Sequence, residues 1–323
     1  MKLALTIDVE EEGLFRGRYP AGPAPVENVS RLRVLRPLFS ELGIRPTLLV
    51  TYPVACSPAH GDLLLQLRDE WGAEIGAHLH PWNTPPMEPR PLPEPVPSES
   101  MPRELLRDKL QTLMESLERM GVKPSSFRMG RFNLGPGMLD LLREKAVRVD
   151  SSVAPGRAFP GGPRHLTAPS DPYFPDPEDV CIPGGSGILE VPITIVPLIP
   201  HAAAFLQAFA RSHSIPGTRA STMVQRLLFL PAQPAWIGLR RLKAAVRLHR
   251  RRGGKVVTVL LHSSELMPGG YPGRKTEGDL SRFCAKLDRF LSWLRDEIGA
   301  EPMTLSDLWS DYAREPHAES KIT

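Results

Sequence analysis

The sequence predicts an α/β protein built on a parallel sheet, and two observations carry that reading. Short apolar runs alternate with segments of helical spacing along most of the chain, with no internal repeat. The residues of greatest chemical interest, Asp8, His78, His80, Arg128, Asp150 and His262, fall at the C-terminal ends of the apolar runs. In parallel barrels and open sheets that edge is where sites are built.

Each element has its own signal. KLALTID (2–8) is a short apolar strand that runs into acid. Residues 30–43 are expected to form a helix capped by Ser30 and stopped by Gly43. A buried strand is expected over 45–55, a helix over 61–72 and a strand over 73–80. The segment 84–102 is proline-rich, and a loop of that length in a compact domain is functional or mobile. A helix over 103–121 follows, then a strand at 126–130, a helix at 135–146 and a strand-like stretch at 147–153. Residues 154–186 read as irregular, 187–196 and 255–265 as strands, and 281–298 as the last helix.

Composition bounds the function classes. The 323 residues suit one large α/β domain, expected over 1–312 with a polar tail at 313–323. A net charge of +4 is too mild to imply nucleic acid. Three cysteines, odd in number and far apart, suggest neither a disulfide framework nor a CxxC zinc site, and fit a reducing compartment. The start, MKLALTIDVEEEG, has too short an apolar region for a secretory signal, so a cytoplasmic location is expected. The apolar stretch 189–210 is broken by Pro192, Pro197 and Pro200, which makes it a poor membrane span.

The polar strand ends carry the candidate chemistry. Asp8 and Glu10 are two apart and share a side of extended chain, so one could bind a cation while the other acts as a base. The competing reading is a solvated acidic loop. His78 and His80 also share a face, and Pro81 prevents a helix from pulling them apart. Two imidazoles with a carboxylate suit zinc and related divalent metals, although two loop histidines would read the same way. Arg128 at a strand end could hold a carboxylate ionised or form a surface pair. Asp150 could orient a histidine or cap a turn. His262 ends a very apolar strand and could serve as a general acid or sit as a satisfied core histidine.

Taken in order, these segments resemble the polysaccharide deacetylase family, the NodB homology domain of carbohydrate esterase family 4. LTIDVE, GAEIGAHLHPW, SFRMGRF, VDSSV and VTVLLH match its five motifs in sequence over roughly residues 1–310. The resemblance implies a distorted, incomplete (β/α)7 barrel and metal-dependent removal of an acetyl or similar acyl group from an amino sugar or glycan. It implies Asp8 as general base, His262 as general acid, Arg128 holding Asp8 and Asp150 orienting His262. It implies Glu10, His78 and His80 as ligands to a divalent metal, zinc first, with cobalt, nickel or manganese as alternatives. Trp82 and Arg131 are expected to meet substrate. The chain departs from the family at Trp82, where the usual second histidine would stand, with His80 as its substitute, and at Val9, where an acid is common. Two other readings stand beside this one: a catalytically inactive sugar-binding homologue, and an amidohydrolase-type barrel, whose His-x-His normally ends the first strand.

One further motif lies outside the site. Residues 236–255, WIGLRRLKAAVRLHRRRGGK, read as a basic amphipathic helix with an apolar stripe at Trp236, Leu239, Leu242 and Val246. Such a helix could rest on an anionic membrane surface, which would suit a lipid-linked sugar, or pack as a solvated helix on the barrel.

Overall fold

A computed structural model describes residues 1–87, 101–159, 162–199 and 227–314. Six strands lie side by side in chain order and parallel: β1 (Lys2–Val9), β2 (Thr47–Val50), β3 (Glu74–Leu79), β4 (Ser126–Met129), β5 (Val149–Asp150) and β6 (Leu189–Glu190). On the other side of β1 runs β9 (Val256–His262), in register from Lys2↔Val256 to Asp8↔His262. A short β10 (Glu301–Met303) pairs with the first three residues of β1. A small antiparallel pair, β7 (Ile195–Pro197) and β8 (Phe229–Pro231), lies outside this sheet. The seven principal strands curl into an incomplete (β/α)7 barrel, as the sequence led us to expect.

The barrel is closed at its seam by side chains. Thr194 N donates to Thr258 O (3.1 Å), and Thr258 N donates to Thr194 Oγ1 (2.8 Å). Gln233 then bridges, its Nε2 donating to Thr258 O (3.1 Å) and its Oε1 accepting from Leu260 N (2.7 Å). A buried backbone group without a partner is costly, and here a glutamine and a threonine supply the partners a neighbouring strand would have given β9.

Alternation along β1 divides the core. Leu3, Leu5, Ile7 and Val9 face outward into the layer beneath the helices, each at most 2% exposed, and such burial stabilises by roughly 1.5–3 kcal/mol per side chain. Ala4 faces inward with Leu49, Val149, Leu189 and Val256, where Leu305 and Leu308 of the last helix plug the lower mouth. Above Ala4 the inward positions turn polar: Thr6, Asp8, then Glu10 beyond the strand. The period of two therefore buries one face and aims the other at the site.

The helices are α1 (Arg36–Leu42), α2 (Tyr52–Ala55), α3 (Pro58–Trp71), α4 (Arg103–Arg119), α5 (Pro136–Glu144), α6 (Leu239–Arg251), α7 (Glu277–Trp293) and α8 (Leu305–Tyr312). Several boundaries differ from expectation. Ser30 is not a cap: a 3₁₀ stretch begins at Glu27, and Ser30 Oγ donates back to Glu27 O. The second strand ends at Val50 because Pro53 opens a helical turn. The run 187–196 is two strands, since Pro192 lacks an N–H for the ladder. The last long helix starts earlier than expected, at a capping box of Thr276 and Asp279. Residues 154–186 are irregular apart from isolated bridges. Most of the proline-rich segment (88–100) and the tail from 315 onward lie outside the described residues.

The basic helix exists as α6, with Gly238 before it. Leu242 and Val246 of its apolar stripe, with Ala245 beside them, are buried against the core. Trp236 precedes the helix and is 36% exposed. Lys243 and Arg247 reach Glu297 and lie over the ring of Trp293. Only the cationic side of α6 faces outward, and no helix among the described residues is long and apolar enough to cross a membrane.

Candidate metal centre

Parallel register brings the site together. Asp8 and His262 are direct neighbours on β1 and β9, and His78 and Arg128 on β3 and β4. His262 is the last residue of its strand and the other three are one from the end of theirs, all on the inward face, and His80 continues the alternation of β3 just past its last residue. Arg128 is about 1% exposed and fully employed. Nη1 donates to Asp8 Oδ1 (2.6 Å), Nη2 to Thr6 Oγ1 (3.0 Å) and Ser151 Oγ (2.7 Å), and Nε to Ser151 O (2.7 Å).

The histidine tautomers follow from their partners. His78 Nδ1 donates to the carbonyl of Arg128 (2.9 Å), and His80 Nδ1 donates to Glu11 Oε1 (2.9 Å). In the neutral rings both Nε2 atoms are thereby left as lone pairs, and they face each other at 3.0 Å, close enough to share a proton when no cation lies between them. Glu10 Oε2 lies 3.5 Å from His80 Nε2 and 3.7 Å from His78 Nε2. Three electron-rich atoms this close, in a buried place, need positive charge between them. The three edges, 3.0, 3.5 and 3.7 Å, straddle the ~3.3 Å edge of a tetrahedron whose centre binds nitrogen and oxygen at about 2.0–2.2 Å. The set Glu10, His78, His80 could therefore hold a divalent metal ion. His80's pKa points the same way. Burial lowers it, but Glu11, with Glu10 and Asp8, outweighs burial and raises it.

Glu11 was missed by sequence reading, as the third acid of a run that looked solvated. It is fully buried, and its Oε1 takes three donors: His80 Nδ1, Trp82 Nε1 (3.0 Å) and Asn83 Nδ2 (2.6 Å). Burial opposes its charge, yet His80 and these donors hold its pKa down to about 2. The signal was available in part: Glu11 adjoins Glu10, and Trp82 and Asn83 follow His80 closely. Only the fold shows that they meet. Asn28 was also missed. Its Nδ2 donates to Glu10 O (3.0 Å) and to the hydroxyls of Ser263 (2.9 Å) and Ser264 (3.1 Å), tying the end of β1 to the turn after β9.

Asp8 and His262 stand beside the triad. His262 Nε2 lies 3.6 Å from Asp8 Oδ2. Burial raises Asp8's pKa, but Arg128, His78 and His262 more than offset it and keep the carboxyl below its ordinary value. Burial lowers His262's pKa, but Glu10, the hydrogen bond that His262 donates to Glu265, and Asp8 push it up to about 9.

The expected partner of His262 is corrected. Its Nδ1 donates to Glu265 Oε1 (2.9 Å), not to Asp150. On β5 the inward residue is Val149, so Asp150 faces the outer layer, because one step along a strand reverses the face. There it accepts from Ser152 Oγ (2.6 Å) and lies in register with Glu190 of β6. Burial of this carboxyl pair raises both pKa values. Ser151, the next inward residue, holds Arg128 instead. Glu265 sits three residues after His262 in a 3₁₀ turn, is itself buried, and lies 3.4 Å from Arg274 Nη1.

The site opens into a cavity of about 150 Å³ walled by Phe15, Tyr19, Trp82, Arg131 and Phe132. Trp82 packs its ring on His80 at 4.2 Å, so it supports a ligand as well as lining the cavity. Arg131 has φ 56° and Phe132 φ 57°, left-handed values that cost ~1–2 kcal/mol each in non-glycine residues. That backbone turns the Arg131 guanidinium over Tyr19, to whose hydroxyl it donates.

No protein-family model matches the chain. No curated protein matches it either. Solved structures do. A protein from Parabacteroides distasonis assigned as a glycoside hydrolase/deacetylase superposes with a TM-score of 0.66 at 14% identity, covering 98% of this chain and 72% of its own. A protein from Mycobacterium smegmatis assigned as a polysaccharide deacetylase gives 0.55 at 18% identity, covering 96% and 89%. The 4-alpha-glucanotransferase of Thermococcus litoralis gives 0.56 at 14% identity, but this chain covers just 40% of it. At such identities the likeness is one of fold. The chain thus has the divergent, deacetylase-like fold of the polysaccharide deacetylases, an incomplete (β/α)7 barrel, with its candidate metal centre at the C-terminal ends of the strands.

Proposed function

We propose that the protein is a metal-dependent hydrolase that removes an acetyl or similar acyl group from the nitrogen of an amino sugar or glycan. One observation carries the reading: the Asp8 carboxyl lies between Arg128 Nη1 (2.6 Å) and His262 Nε2 (3.6 Å), directly beside the donor set Glu10, His78 and His80. A divalent cation held by those three would supply Lewis acidity to the acyl carbonyl and acidify water at neutral pH.

The chain's own residues then divide the proton work. Asp8, kept ionised by Arg128, accepts the proton of the attacking water. The water oxygen bonds to the acyl carbon. As the carbon–nitrogen bond breaks, His262 gives its Nε2 proton to the departing amine, leaving a free amine and a carboxylic acid, which then loses its proton to the amine or to water. Glu265 holds the imidazole so that Nε2, not Nδ1, faces the reaction. The two pKa shifts run in opposite directions, which is what an acid and a base working together require. Trp82 and Arg131 at the cavity wall are placed to contact the sugar.

The binding-only reading is weaker, because a module that merely held sugar would have no use for a buried, charge-matched acid–base pair. The test is a screen of acetyl release from N-acetylated sugars, with and without added zinc or cobalt. Metal-stimulated release supports the proposal. No metal bound to purified protein, and no release with metal added, would leave the binding module as the better account. A glycan or amino-sugar substrate, free or lipid-linked, fits this site, and nothing in it calls for nucleic acid. A cytoplasmic setting, with peripheral contact to a membrane through 236–255, belongs to the same proposal.

A further inference from the structure

Beside the metal pocket lies a second cavity, of about 670 Å³ against about 150 Å³ for the pocket itself. Its walls are aromatic, from Phe159, Phe229, Trp236 and Tyr271, and cationic, from Arg157 and Arg241. No carboxylate is among its described lining residues. The Arg157 guanidinium lies over the Trp236 ring at 5.5 Å. Arg241 projects from the outward side of α6 and makes no ion pair among the described residues. Tyr271 and Ala235 also border a neighbouring cavity of about 480 Å³ whose charged walls are Arg274, Arg282, Lys286 and Arg289 against a single acid, Asp279.

This groove adjoins the catalytic histidine. Phe15 packs edge-on against His262 at 4.9 Å and against Tyr271 at 4.6 Å. Phe15 walls the metal pocket and Tyr271 walls the groove, so one layer of rings separates the two spaces. The two spaces differ in charge: the metal pocket sets Asp8 and Glu10 against Arg128 and Arg131, while the groove carries Arg157 and Arg241 with no carboxylate among its described lining residues. Flat rings set beside guanidinium groups suit a ligand that is itself ringed and carries negative charge nearby.

We propose that this groove is a second substrate subsite, taking a sugar ring that bears or adjoins an anionic group, while the acylated sugar sits at the metal centre. The ring would stack on Trp236, with Arg241 and Arg157 meeting the anion. Its purpose rests on the deacylase reading of the adjoining site, but its binding does not. The anion could be a uronate of an acidic glycan or the phosphate of a lipid-linked sugar, and the two share this chemistry.

The test measures binding to the zinc-loaded full chain at low salt, by calorimetry, with three probes. These are neutral chitotetraose, a heparosan tetrasaccharide of alternating N-acetylglucosamine and glucuronate, and farnesyl-diphospho-N-acetylglucosamine. At least one anionic probe is expected to bind about tenfold or more tightly than chitotetraose, with a preference that fades as salt is raised. Whichever of the two is preferred identifies the source of the anion. Arg241→Glu should abolish the preference and Trp236→Ala should weaken both anionic probes, while Arg241→Lys restores it. Both side chains are exposed, so variants are compared once they melt like the wild type. Equal affinity for all three probes, or variants that bind as the wild type does, would overturn the subsite. Binding without acyl release would count against the deacylase reading alone, and acyl release without anion preference against the subsite alone.

Discussion

At the scale of single residues, the site works through partners that hold a proton or lone pair in place. Glu11 is the clearest case. It fixes His80 Nδ1 as a donor and so leaves Nε2 free as a ligand. Glu11→Gln weakens the charge on that hydrogen bond, and metal affinity is expected to fall about 10–100-fold, measured by chelator competition. His262 differs, since it supplies a proton and is not part of the Glu10–His78–His80 set. His262→Ala should lose about 10²–10⁴-fold in turnover while keeping its metal. Loss of metal from that variant would instead make His262 a ligand. The pH dependence follows from the carboxylates around His262. His262 must be protonated to act, and Glu10 first, then Glu265 and Asp8, raise its pKa, so activity falls as pH rises past that raised value; a cation held by Glu10 would offset the Glu10 share and leave Glu265 as a main support. Glu265→Gln removes a charge that raises this pKa while burial still lowers it, so the alkaline limb should move to lower pH. A limb that stays in place would remove Glu265 from this role.

At the scale of elements, strand register and the first residues after each strand decide the site. Gly130, one step past β4, shows how close the fit is. A Cβ there would lie 2.6 Å from His80 Cδ2 and 2.9 Å from Leu79 O. Since backbone cannot yield as a flexible side chain does, Gly130→Ala should push His80 aside. The expected result is weaker metal binding together with a stability loss of roughly 1–3 kcal/mol, read from metal titration and urea unfolding. A variant with wild-type metal affinity would mean that His80 is not held by this contact.

At the scale of the whole molecule, the barrel carries buried polar groups that take no part in the metal centre. His165 is fully buried. Its Nδ1 accepts from Ala154 N (3.1 Å), and its Nε2 has no hydrogen-bond partner among the described residues. Burial alone pushes its pKa down to about 3. A histidine whose folded pKa is depressed binds fewer protons folded than unfolded, so stability drops as pH falls below the unfolded value near 6.5. The slope should approach about 1.4 kcal/mol per pH unit between roughly pH 6 and 3. The Asp150–Glu190 pair, with raised pKa values, works in the opposite direction, so the contribution is best seen as a difference. His165→Leu should be less stable at pH 7, where Ala154 N loses its acceptor, but its loss between pH 6 and 4 should be shallower by that slope. Parallel curves for the two proteins would assign acid sensitivity elsewhere.

The sequence by itself determined the α/β alternation, the strand ends that hold Asp8, His78, Arg128 and His262, and the pairing of His78 with His80. These are local properties: apolar runs, a two-residue period, a proline after His80. Tertiary structure alone decided which acid serves which histidine. Asp150 looked right for His262, yet a single step of register turned it to the outer layer and left that place to Glu265. Glu11 looked solvated, but the turn after β1 folded it under His80. The seam of the barrel, closed by Thr194 and Gln233, had no local signal either. Local patterning fixes which face of a strand is buried, whereas the partner waiting behind that face comes from elements far away in the chain.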